Sequence, residues 1–277
     1  MRHFFHAALV AIALIAGLSS PAVAQWLTYP TAGVPRTATG AVNVNAPTPR
    51  TADGKPDLSG IWLAANHLPC PPLLRDGNDC IEKTPLSAWA YRIDAGIKEP
   101  LPLQPWAAAL RQERSDANSA DDPHAQCLPS NPPRAYTLPH YQKIIQQPTF
   151  LALLTEFNAS FRQIFTDGRP LLVDPQPSWH GYSTGRWEGD TLVVESNGFR
   201  DRLWLDMSGT PLTDAVKITE RLTRPNYGTL KIAFTVDDPK AYTRPWTVEL
   251  EQAIVVDTDL IEEICLEGLK PMHLPPK

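Results

Sequence analysis

Apolar and polar residues alternate in short runs through the second half of the chain. Residues 229–236 show it most clearly. Leu230, Ile232, Phe234 and Val236 fall on one face and Lys231 on the other, because successive side chains of a strand point to opposite faces. Comparable runs occupy residues 142–147, 150–156, 161–166, 216–224, 246–253 and 260–266. Residues 178–195 read as two strands about a turn at Glu188-Gly189-Asp190, where glycine takes a positive φ at no steric cost. Asp167-Gly168 and residues 226–228 predict two further tight turns. With an entry strand at residues 59–63 the count is about ten strands. No helix-length pattern separates consecutive β runs, so the connections are short and the pairing antiparallel. The expected fold is mainly β: an antiparallel lipocalin-like barrel, or a closed meander, over residues 135–268.

The chain before this region is different. Residues 25–57 are rich in Pro, Thr, Ala and Gly without periodicity and predict an extended arm. Residues 58–134 predict an irregular layer holding the first strand and two short helices. One helix falls at residues 86–95. The other starts near Pro105, a first-turn position that tolerates a missing N–H. Residues 269–277 form a tail. Residues 1–24 combine Arg2, an apolar run and a closing Ala22-Val23-Ala24, the pattern of a secretory signal cleaved after Ala24. The expected location is periplasmic or secreted, with no membrane span after cleavage.

The formal net charge is −5. Cleavage would remove one Arg and no acid, giving −6, and the charges are not clustered. A mildly acidic, mixed surface argues against nucleic acid as a partner. Of the four Cys, all lie beyond the leader, and an even number in an oxidising compartment suggests two disulfides. Cys70 with Cys80 as a local loop, and Cys127 with Cys265 as a long-range staple, is the favoured pairing of three possible ones. The Cys spacing gives no zinc motif. His67, His124, His140 and His273 show no ligand spacing either, so neither a metal nor a cofactor is expected.

Candidate chemistry concentrates at the central pair of strands. Trp179, His180, Tyr182, Ser183 and Arg186 are too polar and too aromatic for a plain structural strand. Two carboxylates also fall on apolar faces: Glu220 with Val216, Ile218 and Leu222, and Glu156 with Ala152 and Leu154. Such a group must find a partner or its pKa rises. It serves as a pocket acid or base, as one half of a buried salt bridge with Arg162 or Arg186 opposite, or it sits at a strand end open to water. The catalytic candidates are therefore Glu220, His180, Glu156 and Tyr182. The ligand-contact candidates are Trp179, Ser183, Arg186, Asn197, Asp201 and Trp204, with Asp206 beside them. Trp62, Trp187 and Trp246 read as core. The chain has no G-x-S-x-G elbow, phosphate-binding loop, dinucleotide fingerprint or H-E-x-x-H, which removes most support for hydrolase, NTPase and nicotinamide readings.

Longer motifs carry a resemblance. They are Lys55-Pro-Asp-Leu-Ser-Gly-Ile-Trp62, Cys127-x-Pro129 with Pro133-Arg134, Arg162-x-Ile164 with Asp167-Gly-Arg169, and Gly185-Arg-Trp-Glu-Gly-Asp-Thr-Leu-Val-Val-Glu195. Glu220-Arg221, Asp238-Pro239, Tyr242 and Pro245-Trp246 follow. Together they resemble a large family of mostly uncharacterised bacterial secreted or periplasmic proteins, over nearly all of the chain beyond the leader. The resemblance implies location and fold and carries no general activity. One position departs: where many relatives have a His after the Gly-x-Pro of the loop, Leu212 stands here. Gly60-Ile-Trp62 is similar to the Gly-x-Trp of the first strand in lipocalin-like barrels.

Three functions fit these residues. The first is a barrel binding a small apolar or aromatic ligand. The second is a cofactor-independent lyase, isomerase or dehydratase, with an inward carboxylate as base and His180 or Tyr182 as acid. The third is an envelope protein tethered by the Pro-rich arm. The expected partner is a small molecule, and the oligomeric state stays open.

Overall fold

The computed structural model describes residues 30–65, 87–95 and 97–268. The leader at 1–24, the tail at 269–277, and Cys70 and Cys80 with their expected bridge all lie outside the described residues. Nine strands build the main sheet: β1 (Gly60–Ala64), β2 (Gln142–Gln147), β3 (Phe150–Thr155), β4 (Phe161–Phe165), β5 (Tyr182–Glu188), β6 (Thr191–Asn197), β9 (Lys217–Asn226), β10 (Thr229–Asp237) and β11 (Trp246–Val255). Two short strands, β7 (Leu203–Trp204) and β8 (Pro211–Leu212), pair separately. The nine close into a barrel in the order β1-β11-β10-β9-β6-β5-β4-β3-β2. Short helices α1 (Ala88–Tyr91), α3 (Arg134–Thr137) and α4 (Cys265–Gly268) and the longer α2 (Pro105–Asp116) accompany it. Among the described residues no helix is long and apolar enough to cross a membrane.

Alternation decides what fills the barrel. Leu230, Ile232, Phe234 and Val236 on β10 are buried, and so are Ile218 and Leu222 on β9 and Val248 and Leu250 on β11. With Trp62, Ile144, Leu151, Leu153, Ile164, Leu192 and Val194 they make one apolar cluster. Each fully buried aliphatic or Phe side chain contributes about 1.5–3 kcal/mol. Trp62 is fully buried and its ring nitrogen donates to the Leu58 carbonyl at 3.0 Å. A closed, mainly β barrel is thus the observed fold.

Four details differ from the sequence expectation. β4 and β5 do not form a hairpin at Asp167-Gly168. They pair in parallel, at Ile164↔Ser183 and Phe165↔Thr184 only, and the chain between them crosses over through residues 166–181. On β3 the inward face is Leu151 and Leu153, so Ala152, Leu154 and Glu156 do not line the interior. The run Phe-Leu-Ala-Leu-Leu-Thr is apolar at both parities, so only the pairing with β2 and β4 sets its face. Residues 260–266 form no strand. They hold an isolated bridge between Phe157 and Glu263 and the start of α4. Between β6 and β9 the chain adds the β7–β8 pair, where the sequence predicts no strand.

The layer outside the barrel is fastened at several points. The arm docks on the β9–β10 turn, where Tyr227 and Gly228 donate their backbone N–H to Ala46 and Val44 at 2.8 Å each. Arg36 pairs with Asp257 at 2.6 Å. The Cys127–Cys265 disulfide, with Cα atoms 5.4 Å apart, ties the irregular layer to the segment after β11, as expected.

Candidate functional site

A groove of about 400 Å³ opens where β4 and β5 meet. Its origin lies in the register. Parallel pairing covers two residue pairs, and the preceding residues of the two segments, 161–163 and 180–182, splay apart. The chain before β5 is drawn away from β4 by the β6 end: Ser178 donates to the Gly198 carbonyl and accepts from Arg200, both at 3.0 Å. Gly181 makes the bend, with φ +66°. A Cβ there would stand 2.7 Å from the Asn197 carbonyl oxygen and 2.8 Å from the Phe199 ring.

The groove wall is aromatic with a few polar atoms. Phe161, Phe165, Trp179, His180 and Tyr182 line it, with Ser178, Gln163 and Pro129. Phe161 is 62% exposed although it is a large apolar side chain. Phe165 and Tyr182 lie 5.7 Å apart in tilted contact, and the Arg169 guanidinium covers Phe165 at 3.9 Å. Arg200 sits 5.5 Å over Trp179, whose inner side packs on the apolar cluster.

His180 forms the partition between groove and barrel. It lines the groove and also a gap of about 10 Å³ behind it, shared with Tyr136, Gln142, Leu153, Thr155 and Arg162. Its Nε2 is buried and has no hydrogen-bond partner among the described residues. Burial, aided by the nearby Arg162 cation, pushes its pKa down to about 4, because both penalise the charged ring. His180 is therefore a neutral imidazole at ordinary pH.

Behind this partition lies a closed polar network. Arg162 on β4 binds Glu220 on β9 through both carboxylate oxygens, one of them at 3.1 Å. It also donates to Ser183 at 3.2 Å, Ser196 at 2.9 Å and the Tyr136 hydroxyl at 3.0 Å. Ser183 and Ser196 share a hydrogen bond of 2.9 Å. Burial, then the Glu220 charge, raises the Tyr136 phenol well above its ordinary pKa. Glu220 is fully buried, so of its sequence readings the geometry supports the salt bridge with Arg162.

The remaining candidates disperse. Glu156 is half-buried on the rim, where its carboxylate accepts the Tyr141 N–H at 2.6 Å. Burial raises its pKa, and the neighbouring Glu263 charge adds to the rise. Arg186 is exposed on the outer face and pairs with Glu195 at 2.6 Å and Glu188 at 3.2 Å. Asn197 flanks the groove, donating to the Leu172 carbonyl at 2.7 Å. Asp201 is exposed, 3.8 Å from Arg202. Trp204 is buried in β7 with the Arg114 guanidinium 4.4 Å over its ring, in the separate two-stranded sheet. Asp206 is a buried fastener: it accepts the Ile93 N–H at 2.8 Å and the Thr210 hydroxyl at 2.7 Å. Arg186, Asp201 and Trp204 therefore stand apart from the groove.

Of the sequence-derived set, Trp179, His180, Tyr182 and Ser183 come together in one place. Phe161 and Phe165 were missed. Their signal was present, since Phe161, Gln163 and Phe165 share the face opposite Arg162 and Ile164. Comparison with protein-family models and with curated proteins finds no match for this chain.

Proposed function

We propose that this protein binds a small, largely apolar or aromatic molecule in the groove at the β4–β5 seam, not in the centre of the barrel. The observation that carries the reading is His180: a neutral, buried imidazole with an unpartnered Nε2, set into a groove of about 400 Å³ walled by Phe161, Phe165, Trp179 and Tyr182. Concave, mostly apolar sites with a few placed polar groups suit small-molecule recognition. In the Nδ1–H tautomer, Nε2 would accept a ligand N–H or O–H once the ring turns toward the groove. Leaving it unmet costs free energy, which a matching ligand would recover.

The catalytic alternative has less support. With a pKa of about 4, His180 is not a protonated general acid at neutral pH. Of the two candidate bases, Glu220 is held by Arg162 and Glu156 lies outside the groove lining, on the rim beside Tyr141. We also place the protein in the periplasm or outside the cell. The leader-like residues 1–24, the motif resemblance and the Cys127–Cys265 disulfide support that, since disulfides persist in oxidising compartments.

Titration with a panel of aromatic compounds, followed by tryptophan fluorescence, tests the groove. Trp179 emission should change saturably with at least one compound. His180→Ala and Phe161→Ala should each weaken that compound about ten-fold. Flat curves across the panel, or affinities indifferent to both substitutions, would overturn the reading.

A further inference from the structure

Three metal-ligating side chains converge at the β3–β4 turn, outside the groove lining. They are His140, just before β2, Glu156, just after β3, and Glu263, shortly before α4. One donor atom from each, with the imidazole Nδ1 among them, lies within 4.8 Å of the other two. His140 Nδ1 is 3.0 Å from Glu263 Oε2 and 3.9 Å from Glu156 Oε1. Donors bound to one zinc ion at about 2.0–2.2 Å in a tetrahedron stand about 3.4 Å apart. The two separations from the imidazole bracket that spacing, and the two carboxylates lie within 4.8 Å of each other.

The backbone holds the three in place before any ion arrives. Pairing of β2 with β3 fixes His140 beside Glu156, and Glu156 donates its N–H to the Tyr141 carbonyl at 3.1 Å. Glu263 comes from far along the chain and is locked by a parallel bridge: its N–H donates to the Glu156 carbonyl at 2.7 Å, and its carbonyl accepts from Asn158 at 2.6 Å. The Asn158 side chain then donates to the Cys127 carbonyl at 2.7 Å and accepts the Cys265 N–H at 3.1 Å. Those two cysteines are joined by the disulfide. The staple and the Asn158 clamp therefore anchor the segment that carries Glu263. The His140 ring rests against Phe157 at 4.9 Å, which limits its rotation.

The chemistry of the donors points to the class of ion. Two carboxylates side by side repel, and a divalent cation between them removes that repulsion. An imidazole nitrogen facing both selects a borderline ion over calcium or magnesium, which prefer all-oxygen shells. We propose that His140, Glu156 and Glu263 bind a divalent transition-metal ion of the zinc type. The half-exposed Glu263 leaves a coordination position open to solvent, the pattern of three protein ligands plus water. This site is independent of the groove reading and holds whether or not the groove takes a ligand.

The test uses the full chain after chelator treatment, titrated with zinc chloride by calorimetry, and with cobalt chloride by visible absorption. Expected are one equivalent bound with a Kd below about 10 µM, a rise in Tm on adding zinc, and a cobalt spectrum of low coordination number. His140→Ala and Glu263→Gln should each weaken binding at least about ten-fold, no less than loss of an outer-shell partner costs. Glu263→Gln lies on an exposed side chain, so its metal-free Tm should stay near that of the parent. His180→Ala should bind zinc normally. An ordinary His140–Glu263 ion pair would show no saturable zinc binding and no zinc-dependent Tm. Either that result, or affinity unchanged in both ligand variants, would overturn the site.

Discussion

Arg162 and Glu220 meet inside the barrel although β5 and β6 separate their strands in the sheet. The serines of the two intervening strands complete the row, since Ser183 and Ser196 are cross-strand partners and both reach Arg162. The interior at this level is a satisfied ion pair with its hydrogen bonds. That is why Glu220 tolerates a fully buried position.

Breaking this pair from one side should cost a great deal. Glu220→Gln leaves the Arg162 cation buried and uncompensated, and the expected loss is about 3–5 kcal/mol. Replacing both, as Arg162→Met with Glu220→Leu, should recover most of it. Urea unfolding of the three proteins measures the difference. A single variant as stable as the parent would show that the network is not closed.

His180 gives a pH dependence of definite sign. Its folded pKa of about 4 lies below the ordinary 6.5. Above pH 6.5 both folded and unfolded states hold it neutral, and its effect is constant. Between pH 6.5 and 4 the unfolded chain binds the proton and the folded one does not, so stability falls as pH falls. The contribution is on the order of 3 kcal/mol across that window. Subtracting the profile of His180→Phe from that of the parent isolates it. A difference flat from pH 7 to 4 would contradict the buried neutral ring. By the same reasoning, ligand affinity that depends on Nε2 should hold constant from pH 8 down to about 5.

Gly181 should not accept a side chain. At φ +66°, with the Asn197 carbonyl 2.7 Å from the added carbon, Gly181→Ala is expected to cost about 1–3 kcal/mol and to shift the Trp179–His180 segment. Thermal unfolding together with the groove titration reads both effects. Gly168→Ala, where nothing lies within 4 Å of the added carbon, is the comparison for backbone strain without a clash.

Reduction of the Cys127–Cys265 bridge should lower stability by about 2–5 kcal/mol, because it closes a long loop in the unfolded chain. Cys127→Ser with Cys265→Ser should show that loss against the oxidised parent in chemical denaturation. Equal stability of oxidised and reduced protein would mean that the Asn158 clamp alone fixes this segment.

Much of the architecture was legible along the chain. The alternation in β10, the Gly189 turn and the Glu220-bearing face of β9 read correctly, because each is a local pattern imposed by the two-residue period of a strand and by one special φ. The polar, aromatic segment around His180 also announced itself, since its composition fits no ordinary strand. What failed were features that two-residue periodicity leaves undetermined. β3 is apolar on both faces, so its register came from its neighbours. Asp167-Gly168 reads as a hairpin turn, yet the parallel β4–β5 seam needed the β6 end to pull residues 178–181 aside.

The sequence by itself determined that there would be a closed β fold, where most of its strands lie, and which segment carries the unusual side chains. Those are consequences of local sterics and of hiding every second residue from water. Only the tertiary structure decided that Glu220 is neutralised by Arg162, that the groove opens at a two-pair parallel seam with Phe161 on its wall, and that Glu263 comes to rest beside His140 and Glu156. Each of these joins groups far apart along the chain. Their proximity depends on barrel closure and strand order, which no short stretch of residues encodes.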